Sequence, residues 1–192
     1  MSEPKPKQKE LRHNAPAIIP ELHQLLERIC GGENLAELPA INDYTWLQFL
    51  SEVGSDLSAW PTSKHFTAWL GLAPGSAQSG KRRRREKRYG GRAGQILRVA
   101  ARSMARAKGS WLGSFYRRLA ATRGAKTANK ATARKLAELI YWTLTKGMAY
   151  VEVGIQRYEE NYRNQLRKHL ERQARKLGLA LLPVNPTPAT DC

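Results

Sequence analysis

The chain has 192 residues, of which 41% are hydrophobic, so it can bury the core of one ordinary domain and is too apolar for wholesale disorder. Lysine and arginine number 33 against 16 aspartates and glutamates. The resulting charge of +17 favours a polyanionic partner, because each neutralised phosphate releases a condensed counterion. No apolar stretch approaches the roughly 18 residues that span a bilayer, and no signal-peptide core follows Met1, so we expect a cytoplasmic protein with no membrane partner.

The cysteines and histidines indicate no metal site. Cys30 and Cys192 offer neither a disulfide framework nor the paired spacing of a zinc site, and the four histidines lie at no ligand spacing from one another. We therefore expect that this chain alone binds no metal ion and no other cofactor.

Helical patterns dominate the middle of the chain. Residues 1–16 are rich in lysine and proline and are expected to form a disordered basic arm, and residues 183–192 a tail. Residues 17–182 are predicted to form one compact all-α domain, because apolar residues recur with helical period and no strand pattern competes.

The first half of this domain predicts short helices. One contains Leu22 and Leu26 and ends at the glycine pair 31–32. Residues 35–53 suggest a helix-hairpin-helix-like unit with its tight turn at residues 39–43. Residues 63–72 predict another short helix, with three residues expected on its buried side: Phe66, Trp69 and Leu70.

The second half begins with a basic loop, residues 73–94, predicted from its proline, glycine and charge content. Helices are then expected over residues 93–107, after Trp111, and over residues 127–148. A long C-terminal amphipathic helix follows, because apolar residues recur every three or four positions. They are Ile155, Tyr158, Tyr162, Leu166, Leu170, Ala174 and Leu177.

Basic residues concentrate where acidic ones are missing. Between Glu86 and Glu138 there are fourteen lysines and arginines and no aspartate or glutamate, and residues 81–88 hold seven basic residues in eight. A solvated helix face normally mixes signs, so a phosphate-binding surface is favoured, although basic runs also serve as localisation signals. The predicted nucleic-acid-binding residues are Lys81, Arg82, Arg83, Arg84, Arg85, Lys87, Arg88, Arg92, Arg98, Arg102 and Arg106. The last three are four apart and are expected to share one helix face.

The same lack of carboxylates argues against nuclease chemistry contained within this chain. Phosphoryl transfer with two metal ions needs several converging Asp or Glu side chains, and the sequence has no such cluster. Strand cleavage would then use a hydroxyl nucleophile, either Ser79 before the basic run or Tyr89 after it. On its own, the Ser79-Gly80 pair is typical of a simple turn.

Several blocks in order resemble one known family. They are Leu38-Pro-Ala-Ile-Asn-Asp-Tyr-Thr45, then residues 50–61, then Ser63-Lys-His-Phe-Thr-Ala-Trp-Leu-Gly-Leu-Ala-Pro74, then Gln78-Ser-Gly80. This series resembles the C-terminal domain of DEDD-type bacterial insertion-sequence transposases, the bridge-RNA-guided recombinases of the IS-one-ten type. The resemblance covers roughly residues 22–182.

The resemblance implies a role for each feature. A serine at the position of Ser79 attacks a DNA phosphodiester and forms a covalent phosphoserine link. Mg²⁺ is held by carboxylates of a separate RuvC-like domain, in a site that combines different subunits, and a bridge RNA selects the DNA. We therefore expect DNA and bridge RNA as partners, a homo-oligomer or a RuvC-like domain in trans, and a nucleoid-associated location in the bacterial cytoplasm.

The sequence departs from the family in two ways. The family hairpin typically reads Pro-Gly-Ile-Gly, whereas this chain has Pro39-Ala-Ile-Asn42 and thus lacks the two glycines that favour backbone contacts of the turn with phosphate. The acidic N-terminal domain is also absent, which suggests a truncated, split or relic protein.

Three hypotheses follow. In the first, Ser79 is the nucleophile of a transposase domain and Arg98 orients the scissile phosphate. In the second, the chain is an inactive nucleic-acid-binding regulator that competes for RNA or for an oligomer interface on residues 155–178. A general RNA-binding protein, supported by charge alone, ranks last.

Overall fold

The structure is a computed structural model that describes residues 21–33, 38–74 and 91–182. Within these ranges the chain forms seven α-helices and no strand, so the prediction of an all-α fold is confirmed. The predicted arm, the tail and most of the basic loop lie outside the described residues. The helices are α1 (Leu22–Ile29), α2 (Asp43–Val53), α3 (Ser63–Trp69), α4 (Arg92–Ser103), α5 (Trp111–Arg123), α6 (Ala125–Lys146) and α7 (Met148–Lys176).

The chain divides into two units, and the first, which ends at Val151, is built around α6. This helix packs against α3, α4 and α5, while α2 packs against α4 and α1. Leu136 and Ile140 of α6 are fully buried, and each side chain of this kind stabilises a fold by about 1.5–3 kcal/mol. Trp46, Phe49 and Phe66 join the same core, with neighbouring rings edge to face at 6.3 and 6.4 Å between centroids.

Side chains and glycines set the helix ends that position the site. The Asn42 side chain accepts a hydrogen bond from the backbone N–H of Thr45 at 2.8 Å and caps α2. Gly54 ends the same helix at φ 81°, a conformation that glycine adopts without steric cost. The predicted stop of α1 at Gly31 and Gly32 is confirmed, since both have positive φ.

Several predicted boundaries were wrong. The expected helix over residues 93–107 is Arg92–Ser103, so the basic loop ends three residues earlier than its predicted end at Gly94. The last helix begins at Met148 rather than near Ile155. The early start is explained by Glu33, which lies 115 positions earlier in the sequence. Its carboxylate accepts a hydrogen bond from the backbone N–H of Met148 at 2.7 Å and so satisfies a free donor at the start of the helix.

The second unit begins at Glu152, and its described part consists of the rest of α7 and the residues up to Leu182. The helix ends in a left-handed turn at Gly178, where the N–H of Leu179 bonds to the carbonyl oxygen of Ala174 at 2.8 Å. Leu166 and Leu170 of the predicted apolar stripe are exposed. The sequence pattern thus identified the helix, while much of its apolar stripe remains accessible. None of the helices in the described ranges is both long and apolar enough to cross a membrane.

Candidate nucleic-acid interface

Leu70, the residue that directly follows α3, touches α4 at Gly94, and these two residues lie on opposite sides of residues 75–90. These sixteen residues carry Ser79 and the basic run, and they lie outside the described residues. α3 precedes them and α4 follows them, and at the contact a Cβ added to Gly94 would lie 2.1 Å from the carbonyl oxygen of Leu70. A side chain at Gly94 would push Leu70 away from α4, so the glycine permits the chain before the segment to approach the helix after it.

A side-chain hydrogen bond holds the same junction one turn further along α4. Nη2 of Arg98 donates to the carbonyl oxygen of Gly71 at 3.0 Å, and Arg98 is partly buried. This bond uses one of the five N–H groups of a guanidinium. Arg98 therefore positions the residues that lead into the segment containing Ser79, and its predicted contact with the scissile phosphate stays a prediction.

The structure divides the predicted site residues into three groups. Arg92, Arg98 and Arg102 lie on α4, where Arg102 is exposed. Arg106 lies in the turn after this helix, so the expectation that it continues the helix face of Arg98 and Arg102 was wrong. The others lie outside the described residues: Ser79, Lys81, Arg82, Arg83, Arg84, Arg85, Lys87 and Arg88.

A groove of about 600 Å³ runs along the length of α4 and is closed on its other side by the turn before α2 and the first half of α2. Its lining includes Asn42, Gln48, Arg92 and Gln95, which offer amide and guanidinium donors. The Arg92 side chain is 73% exposed, and its contact with the carboxylate of Glu52 is loose at 3.6 Å. A surface pair of this kind contributes little stability, so Arg92 can exchange it for a phosphate at small cost.

Ala40 lines the same groove in a backbone conformation that alanine rarely adopts. Its φ is 73°, in the left-handed region. It occupies the position where the family resemblance leads us to expect the first glycine of the hairpin. The missing glycine has therefore not abolished the left-handed turn at this residue, although the conformation costs alanine about 1–2 kcal/mol. Residues 34–37, expected as the first helix of the unit, lie outside the described residues.

Two tryptophans are in contact, Trp60 before α3 and Trp69 as its last residue. The rings of Trp60 and Trp69 are 4.9 Å apart between centroids and inclined at 54°. Phe66 and Leu70 are buried as expected, but Trp69 is 47% exposed. The prediction that Trp69 faces the core was therefore wrong, and sequence reasoning missed this aromatic pair, in which Trp69 is exposed and Trp60 is half-buried.

The part of the chain without aspartate or glutamate, between Glu86 and Glu138, includes α5 and more than half of α6. Arg123 and Lys126 flank the turn between these helices, and both are exposed. Arg134 and Lys135, further along α6, contact the carboxylate of Glu138 at 3.0 and 3.6 Å. The positive charge that an anionic partner can meet is thus greater at the α5–α6 turn than in the middle of α6.

The described residues contain neither a candidate metal site nor a cysteine suited to nucleophilic attack. No group of three or more His, Cys, Asp or Glu side chains lies close enough there to hold a metal ion. Burial raises the pKa of the Cys30 thiol to about 11, so it remains protonated near neutral pH and is a poor nucleophile. Ser79 and Tyr89, the predicted hydroxyl nucleophiles, both lie outside these residues.

Comparison with known proteins gives one match. Residues 32–117 match the family model described as Transposase IS116/IS110/IS902 family. This range includes the turn at Ala40, the Trp60–Trp69 pair, and both helices that flank residues 75–90. No curated protein and no solved structure matches the chain significantly.

Proposed function

We propose that residues 32–117, which match the transposase family model, form an IS110-type transposase domain, and that the protein binds DNA and acts in DNA transposition. It binds mainly through phosphates, with the basic run 81–88 and the arginines of α4. This electrostatic mode follows from a charge of +17. Such contacts fix the register of the protein on DNA and read little sequence, so the choice of target comes from another component.

The observation that carries this proposal is the contact of Leu70, directly after α3, with Gly94 of α4. It brings the residues on both sides of segment 75–90 together, and Arg98 reinforces it through Gly71. A basic segment whose two ends are fixed loses less conformational entropy on binding than a free tail. This arrangement suits a segment that must hold a phosphate beside a nucleophile.

Ser79 is the proposed nucleophile. Its Oγ forms a bond to the phosphorus of a DNA phosphodiester, while the bond from phosphorus to one strand oxygen breaks. That oxygen leaves as a hydroxyl, with a proton balancing the one that the serine loses. The covalent phosphoserine conserves the ester, so a second strand hydroxyl can reverse the reaction and join DNA without an external energy source.

The remaining components are proposed to come from outside this chain. The described residues do not provide a set of carboxylates for Mg²⁺, so we assign these to a RuvC-like domain in another subunit. We assign the choice of DNA to a bridge RNA, whose phosphates the same basic surface can hold. The site of action is the bacterial cytoplasm, at the nucleoid.

Complementation in trans tests the nucleophile. The chain is incubated with labelled duplex DNA, Mg²⁺, bridge RNA and a full-length transposase of this family whose own serine is replaced by alanine. We expect a covalent DNA adduct on the tryptic peptide from His65 to Lys81, lost in Ser79→Ala and retained in Ser76→Ala, a matched control in the same peptide. An adduct that persists in Ser79→Ala contradicts the assignment, and an adduct on the peptide containing Tyr89 supports that residue instead.

The alternative is an inactive chain that regulates a full-length transposase by competing for nucleic acid. The exposed leucines of α7, Leu166 and Leu170, are suited to such competition at an oligomer interface. This alternative predicts that the native chain forms no adduct but inhibits the intact transposase, equally well with Ser79→Ala. Loss of inhibition in Ser79→Ala would count against it.

A further inference from the structure

We propose that Trp69, supported by Trp60, is a stacking platform for an unpaired nucleotide of the bound nucleic acid. The inference rests on the proposed function in one respect, namely that the partner is nucleic acid. It adds a second mode of contact, base stacking, to the phosphate contacts of the basic residues.

The platform is rigid. Trp60 packs against the core ring of Phe66 at 5.2 Å between centroids. Its backbone is also tied to α6, because the hydroxyl of Tyr141 donates to the carbonyl oxygen of Trp60 at 2.8 Å. The ring of Trp69 packs against the ring of Trp60, yet nearly half of the Trp69 side chain is exposed to solvent. An aromatic ring held in place in this way loses little rotamer freedom when a base stacks on it.

The charge of the sequence that contains the platform favours nucleic acid over a protein partner. Glu86 is the only aspartate or glutamate in the sequence between Asp56 and Glu138, and the same interval contains the basic run 81–88. An exposed tryptophan within so basic a stretch of sequence matches single-strand binding proteins, where aromatic rings stack on bases and cations hold the backbone. A protein interface would ordinarily mix both signs of charge.

The stacking of bases inside a duplex indicates that the platform binds an unpaired nucleotide. Inside a duplex both faces of each base are already stacked, whereas a base in a single strand or loop has an open face. Trp69 ends α3, and Ser79 follows ten residues later, which limits their separation to about 35 Å even for an extended chain. The platform can thus hold an unpaired base in the same complex in which Ser79 meets a phosphate.

Fluorescence titration with the full chain tests the platform. The probes are a dT oligomer of about 20 nucleotides, long enough for one site, and a duplex of the same length. We expect the oligomer to quench part of the tryptophan fluorescence. Trp69→Leu should remove this part and weaken binding of the oligomer by about 5- to 100-fold, while duplex binding changes by less than about twofold. Trp69→Phe should keep most of the affinity, because it retains an aromatic face.

The control is Tyr150→Leu, since Tyr150 is as exposed as Trp69, at 48%, and lies at the start of α7. Its affinity for the oligomer should not change. The platform is refuted if Trp69→Leu binds the oligomer as tightly as the native chain, if Tyr150→Leu loses as much, or if Trp69→Leu alters only self-association in sedimentation. If the native chain binds neither probe, both the proposed function and the platform are refuted. If the native chain binds the duplex and Trp69→Leu does not change the affinity for the oligomer, only the platform is refuted.

Discussion

Arg98 donates a hydrogen bond to the backbone of Gly71, which lies 27 positions earlier in the sequence and on the other side of the segment that contains Ser79. The bond joins the first turn after α3 to the middle of α4. A residue that the sequence suggested for phosphate contact therefore also shapes the entrance to the proposed site. Mutation tests this structural role of Arg98 apart from its proposed contact with phosphate.

Replacing Arg98 with alanine should lower the free energy of unfolding by about 1.5–3 kcal/mol, because a hydrogen bond from a charged donor to a partly buried carbonyl is lost. Urea denaturation followed by circular dichroism measures the change. Arg102→Ala, which removes an exposed arginine from the same helix, should stay within about 0.5 kcal/mol of the native chain. Equal effects of the two variants would show that the Gly71 bond contributes nothing to stability.

Gly94→Ala should destabilise the chain strongly, since the new Cβ would lie 2.1 Å from the carbonyl oxygen of Leu70 and the clash is with backbone. We expect a loss of about 2–4 kcal/mol, typical of overpacking that backbone shifts must relieve. The control is Gly154→Ala on α7, where a Cβ meets nothing within 4 Å. That variant should gain up to about 1 kcal/mol from helix propensity. A neutral Gly94→Ala would contradict the close contact of Leu70 with α4.

Ala40→Gly should stabilise the chain. Glycine adopts the observed φ of 73° without the left-handed penalty of about 1–2 kcal/mol, and it loses about 0.5–1 kcal/mol through its greater freedom in the unfolded state. The net gain should be about 0.5–1 kcal/mol in urea denaturation. Ala68→Gly, on the exposed side of α3, serves as a control and should destabilise by a similar amount. A loss of stability in Ala40→Gly would contradict strain at this residue.

His23 should make stability depend on pH. A hydrogen bond to Asp43 is the main cause that raises its pKa above 6.5, burial acts in the opposite direction, and the nearby charges of Asp43 and Glu27 add to the increase. Because the pKa is raised in the folded state, the contribution of His23 to stability is complete below pH 6.5 and is lost as the pH rises through the folded-state pKa.

The variant His23→Gln should therefore differ most from the native chain near pH 6 and least near pH 8.5, on either side of the titration. Thermal denaturation at both pH values measures this. His169→Gln, an exposed position on α7, is the matched control and should show no such difference. A destabilisation by His23→Gln that is the same at both pH values would rule out the proposed linkage.

The sequence predicted the helices well because their evidence is periodic. Leu97, Ala100 and Met104 recur at helical spacing and are buried as expected. The start of α7 could not be predicted in the same way, since it depends on Glu33, a residue more than a hundred positions away. Contacts between distant parts of the chain leave no local pattern in a single sequence.

The site was less predictable than the fold. Trp69 lies within three residues of Phe66 and next to Leu70, so on a helix of only seven residues its apolar character did not distinguish an edge position from the core. The concentration of lysine and arginine predicted a phosphate-binding surface, but it did not show which arginine forms a hydrogen bond with the backbone. Arg98 and Arg102 are the same residue type at equivalent helical positions, and only the location of Gly71 separates their roles.

The salt dependence of duplex binding tests the central claim most directly. A variant with alanine at Arg82, Arg83, Arg84 and Arg85 is compared with one of equal charge that has alanine at Arg163, Arg167, Arg172 and Arg175 of α7. If the basic run holds the phosphates, the slope of log K against log salt should fall by about 3–4 in the first variant and by less than about 1 in the second. Equal slopes in both variants would mean that net charge alone attracts DNA, and the assignment of the interface to the segment between α3 and α4 would be wrong.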